Sequence, residues 1–426
     1  MKIIKYSDLK KDFFEYQEFI GIESVKEIIR YVKIHGDEAV KKYSRQFGDG
    51  EISSIELTAE EIENACEKIS EDTKNYIKLA INNVKNFAEA QFSVLKNIET
   101  VKDGIRLGHR VIPLERIGAY VPGGNYPLPS SAIMSIVPAK VAGVKEVIVC
   151  SPRIQPATIV ACKLAGADRI FRIGGVQAVA AMAYGTESVP AVNKIVGPGN
   201  KYVTAAKKEV YGICGIDFLA GPSEVMIIAD QTADYEFIAA DMLAQCEHDP
   251  DARAYLITTS ADLAEKVIQK TEYFLKTLTT SEIASKAIRE SIVIIIENIG
   301  QGVEIANKKA PEHLEICYKD CQNDLDKYTN YGSLFIGNYS AEVFGDYCSG
   351  TNHILPTNGV AKYSGGLSVF DFVKIQTYQE IYPEAATNLS KIASNLANTE
   401  GLYAHKLSAD LRADSYVFRG SHNYFG

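Results

Sequence analysis

From residue 146 onward the chain alternates between short runs that are apolar throughout and longer stretches with apolar positions at helical spacing. EVIVC (146–150), RIFRI, KIVG, EVMIIAD, AYLITT and SIVIIIEN read as strands. IQPATIVACKLAG, VQAVAAMAYG, NKYVTAAKKEVYG, DYEFIAADMLAQCEH and 261–277 read as the helices between them, the first ending at Gly166. Apolar strands without polar alternation belong to parallel sheets covered on both faces, so the expected class is α/β. Upstream, 22–47 and 59–98 carry helical periodicity, with Ile28, Ile29 and Val32 followed by Val40 and Tyr43. Thr58 with Glu61 three residues on predicts a capping box. Residues 1–20 read as a polar-aromatic helix or arm, and 100–119 as short β-like runs. GSLFIG is a further strand, 345–368 a long Gly/Ser/Thr/Pro-rich loop, and the tail from 376 a helix leading into a small C-terminal piece. No sequence repeat underlies the alternation.

A length of 426 residues predicts two to four folded units at roughly 100–200 residues each. The 46% hydrophobic and 23% charged composition is that of a globular chain. A net charge of −9 disfavours a general phosphate-backbone binder while leaving room for a local basic pocket, and no nucleic-acid partner is expected. The longest apolar candidate, 130–150, is broken by Pro138, Lys140 and Lys145, short of the about 18 residues a membrane span needs. Charges in MKIIKYSDLKKDFF interrupt any signal-peptide core. Eight scattered cysteines without a CxxC read as reduced thiols, which points to the cytoplasm.

Histidine is scarce, with seven residues. His35, His109 and His422 have plain surroundings and take a structural or surface reading. The other four lie near carboxylates or amides. In Gln245-Cys246-Glu247-His248, Gln245 and His248 share a helix face and Cys246 points elsewhere. That fragment is either a polar helix end suited to the dipole or part of a metal site. Glu312-His313, after Pro311, offers two proton-transfer groups if a turn directs both to one place. Residues 345–353 put Asp346, hydroxyls, Asn352 and His353 in a glycine-bounded loop, which is either functional or a self-satisfied turn. Glu400 and His405 add one more carboxylate and imidazole. Four glycine-rich pieces, 118–131, 172–179, 196–203 and 219–225, lack the GxGxxG fingerprint. They either close tight turns or line a ligand cleft.

The motifs YVPGG (120–124), IGGVQAVAAMAYGTES (173–188), GPGNKYV, AGPSEV, QCEHD (245–249), APEHLEI (310–316), GDYCSGTNHILPT (345–357) and EGLYAHK (400–406) occur in that order. Through them the chain resembles the histidinol dehydrogenase family nearly end to end. The resemblance implies zinc-dependent, NAD-linked, four-electron oxidation of L-histidinol to L-histidine through a bound aldehyde, the last two steps of histidine biosynthesis. It implies Gln245, His248, Asp346 and His405 as Zn²⁺ ligands, and Glu312 and His313 as the catalytic pair. Substrate contacts would be Ser223, His353 and Glu400, together with Gln245, His248, His313, Asp346 and His405. Tyr120, Gln177 and Asn200 would contact NAD⁺. Asn125-Tyr126 departs from the smaller residues common after PGG.

The resemblance also implies two incomplete Rossmann-like domains, one inserted in the other: an arm at 1–20, a first domain at 21–119 and 224–367, an inserted second domain at 120–223, and a C-terminal piece at 368–426. That piece would reach across a homodimer and complete the neighbour's site. His313 would act as base in both oxidations, with Glu312 activating water for the second. Without the resemblance, a zinc hydrolase or a metal-dependent small-ligand binder fits the same residues. A thiohemiacetal route through Cys246 or Cys348 is disfavoured, because Cys246 turns away and Cys348 has no adjacent base.

Overall fold

A computed structural model describes residues 1–15, 22–48, 50, 52–123 and 127–419, with side chains described through 413. Asn125 and Tyr126, His422 and residues 16–20 of the N-terminal arm lie outside the described residues.

In chain order the strands are β1 (Lys2–Lys5), β2 (Ile98–Lys102), β3 (Ile105–Pro113), β4 (Arg116–Tyr120), β5 (Glu146–Cys150), β6 (Arg169–Phe171) and β7 (Lys194–Val196). They continue with β8 (Gly215–Ile216), β9 (Glu224–Ala229), β10 (Arg253–Thr258), β11 (Ile292–Ile295), β12 (His313–Cys317), β13 (Ser333–Ile336) and β14 (Val373–Ile381). They form a six-stranded sheet in the order β1-β11-β10-β9-β12-β13, a five-stranded sheet β6-β5-β4-β7-β8, and a three-stranded sheet β14-β3-β2. The first two are parallel throughout and the third is antiparallel. The chain is therefore mixed α/β with parallel-sheet cores, as the apolar strands required.

Why these runs pair in parallel is visible in β9. Its side chains alternate between faces. Val225, Ile227 and Ala229 pack with Ile238, Met242 and Leu243 of helix Tyr235–Cys246 on one side. Met226 and Ile228 pack with Ile305 and Ala306 of helix Ile299–Lys309 on the other. With both faces buried, no position on the strand is left for a polar residue to face water. The five-stranded sheet is covered by helix Glu23–Gln46, whose Val25, Ile28, Ile29, Val32 and Val40 join Ile148, Phe171 and Ile173 in one cluster. The Thr58–Glu61 capping box is present, each side chain accepting from the other residue's backbone N–H.

By its contacts the chain divides into two units, Met1–Phe92 with Leu114–Phe372, and Ser93–Pro113 with the chain from Val373 on. Both parallel sheets lie in the first unit. Residues 93–113, expected within the first Rossmann-like domain, group instead with the C-terminal segment, because β3 pairs along its length with β14. Of the two readings of the N-terminal segment, helix or arm, the described residues form no α-helix: Lys2–Lys5 adds an edge strand to the six-stranded sheet, followed by two short 3₁₀ turns.

Lys207 and Asp217 form an ion pair, their side chains 5% and 1% exposed. Lys207 Nζ also donates to the Gly197 carbonyl at 2.8 Å, and Asp217 accepts from the Gly197 N–H at 2.8 Å. The pair thus pins the loop after β7. Removing one partner strands a buried charge, so Lys207→Met is expected to lose about 3–5 kcal/mol in urea unfolding. A loss below about 1 kcal/mol would mean that Asp217 is held by its backbone donors alone.

Candidate active site

Strands β9 and β12 run side by side, with His313 in register with Val225. Both begin at one edge of the six-stranded sheet, so Ser223, Glu224, Glu312 and His313 meet at its amino end. Helix Tyr235–Cys246 returns antiparallel to the strands and brings Gln245 and His248 to the same edge. A left-handed Ala310 (φ 54°) stops helix Ile299–Lys309, and Pro311 directs the chain into β12. Here the turn needed to aim Glu312 and His313 at one place is realised. Glu312 Oε2 and His313 Nδ1 are 3.8 Å apart, and both side chains are buried.

Glu312 is oriented by the Glu224 backbone N–H, which donates to its Oε2 at 2.9 Å. The His313 ring lies between further carboxylates. Nδ1 is 3.7 Å from Glu342 Oε1, and Nε2 is 3.7 Å from Asp346 Oδ1. Glu342 and Asp346 sit one turn apart on helix Glu342–Tyr347, hence on one face. Asp346 Oδ2 in turn is 4.0 Å from His248 Nε2. His353 Nδ1 donates to the Asp346 carbonyl at 2.7 Å, and its Nε2 faces Ser131 Oγ at 3.4 Å. Ser223 uses its carbonyl to accept from Arg253 N–H, and its side chain is half-buried.

Burial dominates the titration of this cluster. It pushes the Glu312 carboxyl up to about 7 against the pull of the His313 ring. It raises Glu342 to about 8, with Asp346, Glu312 and Asp241 adding to the effect and His313 opposing it. Glu315, buried beside Asp241 and Glu342, is raised well above the carboxylate range, and Asp241 itself to about 6. Burial disfavours the charged His313 ring, but Glu342, Glu312 and Asp346 outweigh it and raise its pKa well above the usual value. Burial also works against the Asp346 carboxylate, yet the His313, His353 and His248 rings hold it below its ordinary value. His353 is lowered by burial, which keeps it neutral.

Such an excess of buried carboxylates is costly unless a cation offsets it. The side chains fit one. Ligand atoms of His248, Glu342 and Asp346 all lie within 4.8 Å of one another. The Gln245 side-chain oxygen is buried with no hydrogen-bond partner among the described residues, as is His313 Nε2. Mixed nitrogen and oxygen donors suit Zn²⁺ or a similar divalent ion. Glu342 is the member that sequence reasoning missed. Its spacing of four from Asp346 was the available signal, masked because the helix carrying both is only six residues long.

Glu400 and His405 belong to the second unit. Glu400 caps helix Pro383–Thr399, and His405 lies in the first turn of helix Tyr403–Arg419; both are exposed. Within that unit they border an apolar groove of about 1040 Å³ with Leu389, Leu396 and Leu402.

Tyr120, Gln177 and Asn200 share the carboxyl edge of the five-stranded sheet. Tyr120 ends β4, and its hydroxyl accepts from the Gly175 N–H at 3.0 Å. The Gln177 side chain is buried, and its Oε1 has no hydrogen-bond partner among the described residues. Asn200 Oδ1 caps helix Lys201–Val210, accepting from Tyr202 and Val203 N–H. Gly197 has φ 111°, and a Cβ there would collide with the Tyr120 carbonyl oxygen. That glycine is thus explained by close approach of two loops. The 219–225 piece stands apart: it enters β9 at the amino edge of the other sheet.

Cys246 packs in the core against Ser291 Oγ (3.7 Å), and burial raises its thiol to about 11. It faces away from the cluster, as helical spacing indicated.

A carboxyl whose pKa is raised on folding binds more protons folded than unfolded, so stability falls as pH rises towards the folded value. For Glu312 and Glu342 that window runs from the unfolded carboxyl value up to about 7 and about 8. In metal-stripped protein the unfolding midpoint is therefore expected to fall between about pH 5 and pH 8. Glu342→Gln should flatten the decline, and added Zn²⁺ should stabilise most at the upper end. A midpoint that rises with pH in both proteins would contradict this electrostatic reading.

Comparison with known proteins gives a consistent picture. A family model described as histidinol dehydrogenase matches residues 16–413. A histidinol dehydrogenase of Methanosarcina mazei is 44% identical over 388 residues, 90% of each chain. A histidinol dehydrogenase homolog of Shouchella clausii is 44% identical over 400 residues, 92% of this chain and 94% of that one. The crystal structure of histidinol dehydrogenase from Elizabethkingia anophelis superposes with a TM-score of 0.91 at 34% identity, covering 97% of this chain and 98% of that one.

Proposed function

The chain belongs to the histidinol dehydrogenase family of oxidoreductases, and on that premise we propose that it oxidises L-histidinol to L-histidine with two NAD⁺ and one divalent cation, as the last two steps of histidine biosynthesis. The balance is alcohol plus two NAD⁺ plus water to carboxylate plus two NADH plus three protons. The observation that carries the reading is the buried Glu312–His313 pair, set 3.8 Å apart at the edge where Gln245, His248 and Asp346 also lie. Gln245, His248, Asp346 and His405 would hold Zn²⁺. When bound, the cation would fix the imidazole and amine of the substrate, and nicotinamide would accept hydride from the carbinol carbon.

The remaining work falls to side chains of this chain. His313 takes the hydroxyl proton in the first oxidation. Glu312, whose carboxyl burial raises to about 7, takes in its ionised form a proton from water as the oxygen adds to the aldehyde carbon. His313 then serves as base again. Ser223, His353 and Glu400 would orient the substrate, with Asp346 and Glu400 receiving the hydrogens of its ammonium group. The loops carrying Tyr120, Gln177 and Asn200 would hold the nucleotide, in an inserted domain at 120–223. The Gln177 oxygen, without a partner among the described residues, supports a ligand there.

A homodimer is part of the proposal. In it, the segment 368–426 brings Glu400 and His405 to the partner's site. The apolar groove beside those two residues, with Leu396 and Leu402 59% and 44% exposed, supports a protein surface over it. No described helix is long and apolar enough to cross a membrane, and we place the enzyme in the cytoplasm.

Two NADH per histidinol are expected, a yield abolished by chelator and restored by Zn²⁺. Absence of NADH formation with histidinol, while another amino alcohol is oxidised, would reassign the substrate. Glu312→Gln should spare alcohol oxidation and slow aldehyde oxidation, whereas His313→Asn should impair both by about 10²–10⁴-fold. Equal loss of both steps in Glu312→Gln would break this division of labour.

A further inference from the structure

We propose that the buried Glu224–Lys309 ion pair is a clamp that positions the catalytic Glu312–His313 pair, acting through the backbone of Glu224. The inference rests on the function proposed above, and in it Glu224 and Lys309 are positioning residues.

One residue's backbone meets both members of the catalytic pair. The Glu224 N–H donates to Glu312 Oε2 at 2.9 Å, and the Glu224 carbonyl oxygen lies 3.3 Å from His313 Nδ1. The ladder between β9 and β12 begins one residue later, at Val225 and His313. Backbone groups of Glu224 that could have extended that ladder are met by the two catalytic side chains instead. Glu224 therefore stands at the open end of the ladder, and its grip is only as firm as its own placement.

Its side chain supplies that placement. Glu224 alternates with Val225 and shares a face with Met226 and Ile228, the face covered by helix Ile299–Lys309. There its Oε2 is 3.5 Å from Lys309 Nζ, with the two side chains 6% and 14% exposed. Lys309 is the last residue of that helix, and Glu312 follows three residues on, past the left-handed Ala310 and Pro311. The turn 309–312 is thus tied to Glu224 at both ends, at Lys309 through the side chain and at Glu312 through the N–H. Together the two ties fix the start of β9 against the entry to β12.

The cation is also enclosed. Lys309 Nζ lies 5.3 Å from the centre of the Phe13 ring and 5.6 Å from that of Tyr255, and the two rings meet edge to face at 5.1 Å. Phe13 belongs to the 3₁₀ turn Lys11–Phe14, so the N-terminal segment covers the pair. Apolar side chains of similar volume stabilise a buried site at least as well as an ion pair does, so stability alone does not account for this one. A fixed distance between two backbone segments does.

The test uses full-length, zinc-loaded wild type, Lys309→Met, Lys309→Arg and the double variant Glu224→Gln/Lys309→Met. Lys309→Met strands the Glu224 carboxylate and should lower both the urea midpoint and kcat. The double variant removes the stranded charge, so its urea midpoint should return towards that of wild type. Its kcat for histidinaldehyde should nevertheless stay about 10- to 10²-fold below wild type, with zinc content and the KM for histidinol within about threefold. Lys309→Arg should keep most of the wild-type kcat. Peptide-resolved hydrogen exchange should find the Glu224 amide about tenfold faster or more in the double variant than in wild type. A double variant that recovers kcat along with stability, a kcat loss that tracks zinc loss, or an unchanged Glu224 amide would each overturn the clamp. Wild type that forms no NADH from histidinol or histidinaldehyde would sink the proposed function instead, and the exchange result would still decide whether the pair holds Glu224 in place.

Discussion

Burying an imidazole among several carboxylates is the constraint around which the first unit is arranged. His313 has Glu312 and Glu342 near Nδ1 and Asp346 near Nε2, all at 3.7–3.8 Å. In water such a group would be solvated and of little consequence. At a buried sheet edge the same charges act on one another strongly, and each must be held by a rigid element to be tolerated. Two adjacent parallel strands supply Glu312 and His313, the helix Tyr235–Cys246 carries Gln245 in its last turn, and a short helix carries Glu342 and Asp346. The apolar strand interiors and their covering helices are what allow those ends to be rigid.

The two parallel sheets divide their labour by edge. Open α/β sheets usually bind ligands beyond the carboxyl ends of their strands. The five-stranded sheet carries Tyr120, Gly175 and the loop from Gly197 to Asn200 at that edge, where the proposed nucleotide contacts fall. The six-stranded sheet differs. Its chemistry-bearing groups sit at the amino ends of β9 and β12, where a helix C-terminus arrives. A helix C-terminus carries partial negative charge, which suits a cation better than a phosphate. Helix N-termini suit phosphates and helix C-termini suit cations, which places the two proposed ligands at opposite sheet edges.

Much of this was legible in the sequence where a single physical signal dominates. Fully apolar strands announced parallel sheets because nothing polar survives between two covered faces. The Thr58–Glu61 box marked a helix start, and helical spacing turned Cys246 into the core, away from Gln245 and His248. Where pairing decides, the sequence was silent. KIIK at residues 2–5 carries two lysines and no alternation that marks an edge strand, and only β11 beside it makes it one. Residues 105–113 join a strand more than 250 positions away, which local pattern does not encode. Gln245, His248 and Asp346 were grouped by resemblance to a family, since spacing offered only fragments. Glu342 belonged to no motif, and its place beside His313 is visible only when its helix is laid against β12.

The most direct measurement of the central claim is an anomalous-scattering map at the zinc edge from crystals of zinc-loaded protein. One peak per site is expected, within bonding distance of the Gln245 side-chain oxygen, His248 and Asp346. A peak elsewhere, or Gln245 turned away from the ion, would contradict the view that this buried acidic cluster is built to receive a cation beside His313.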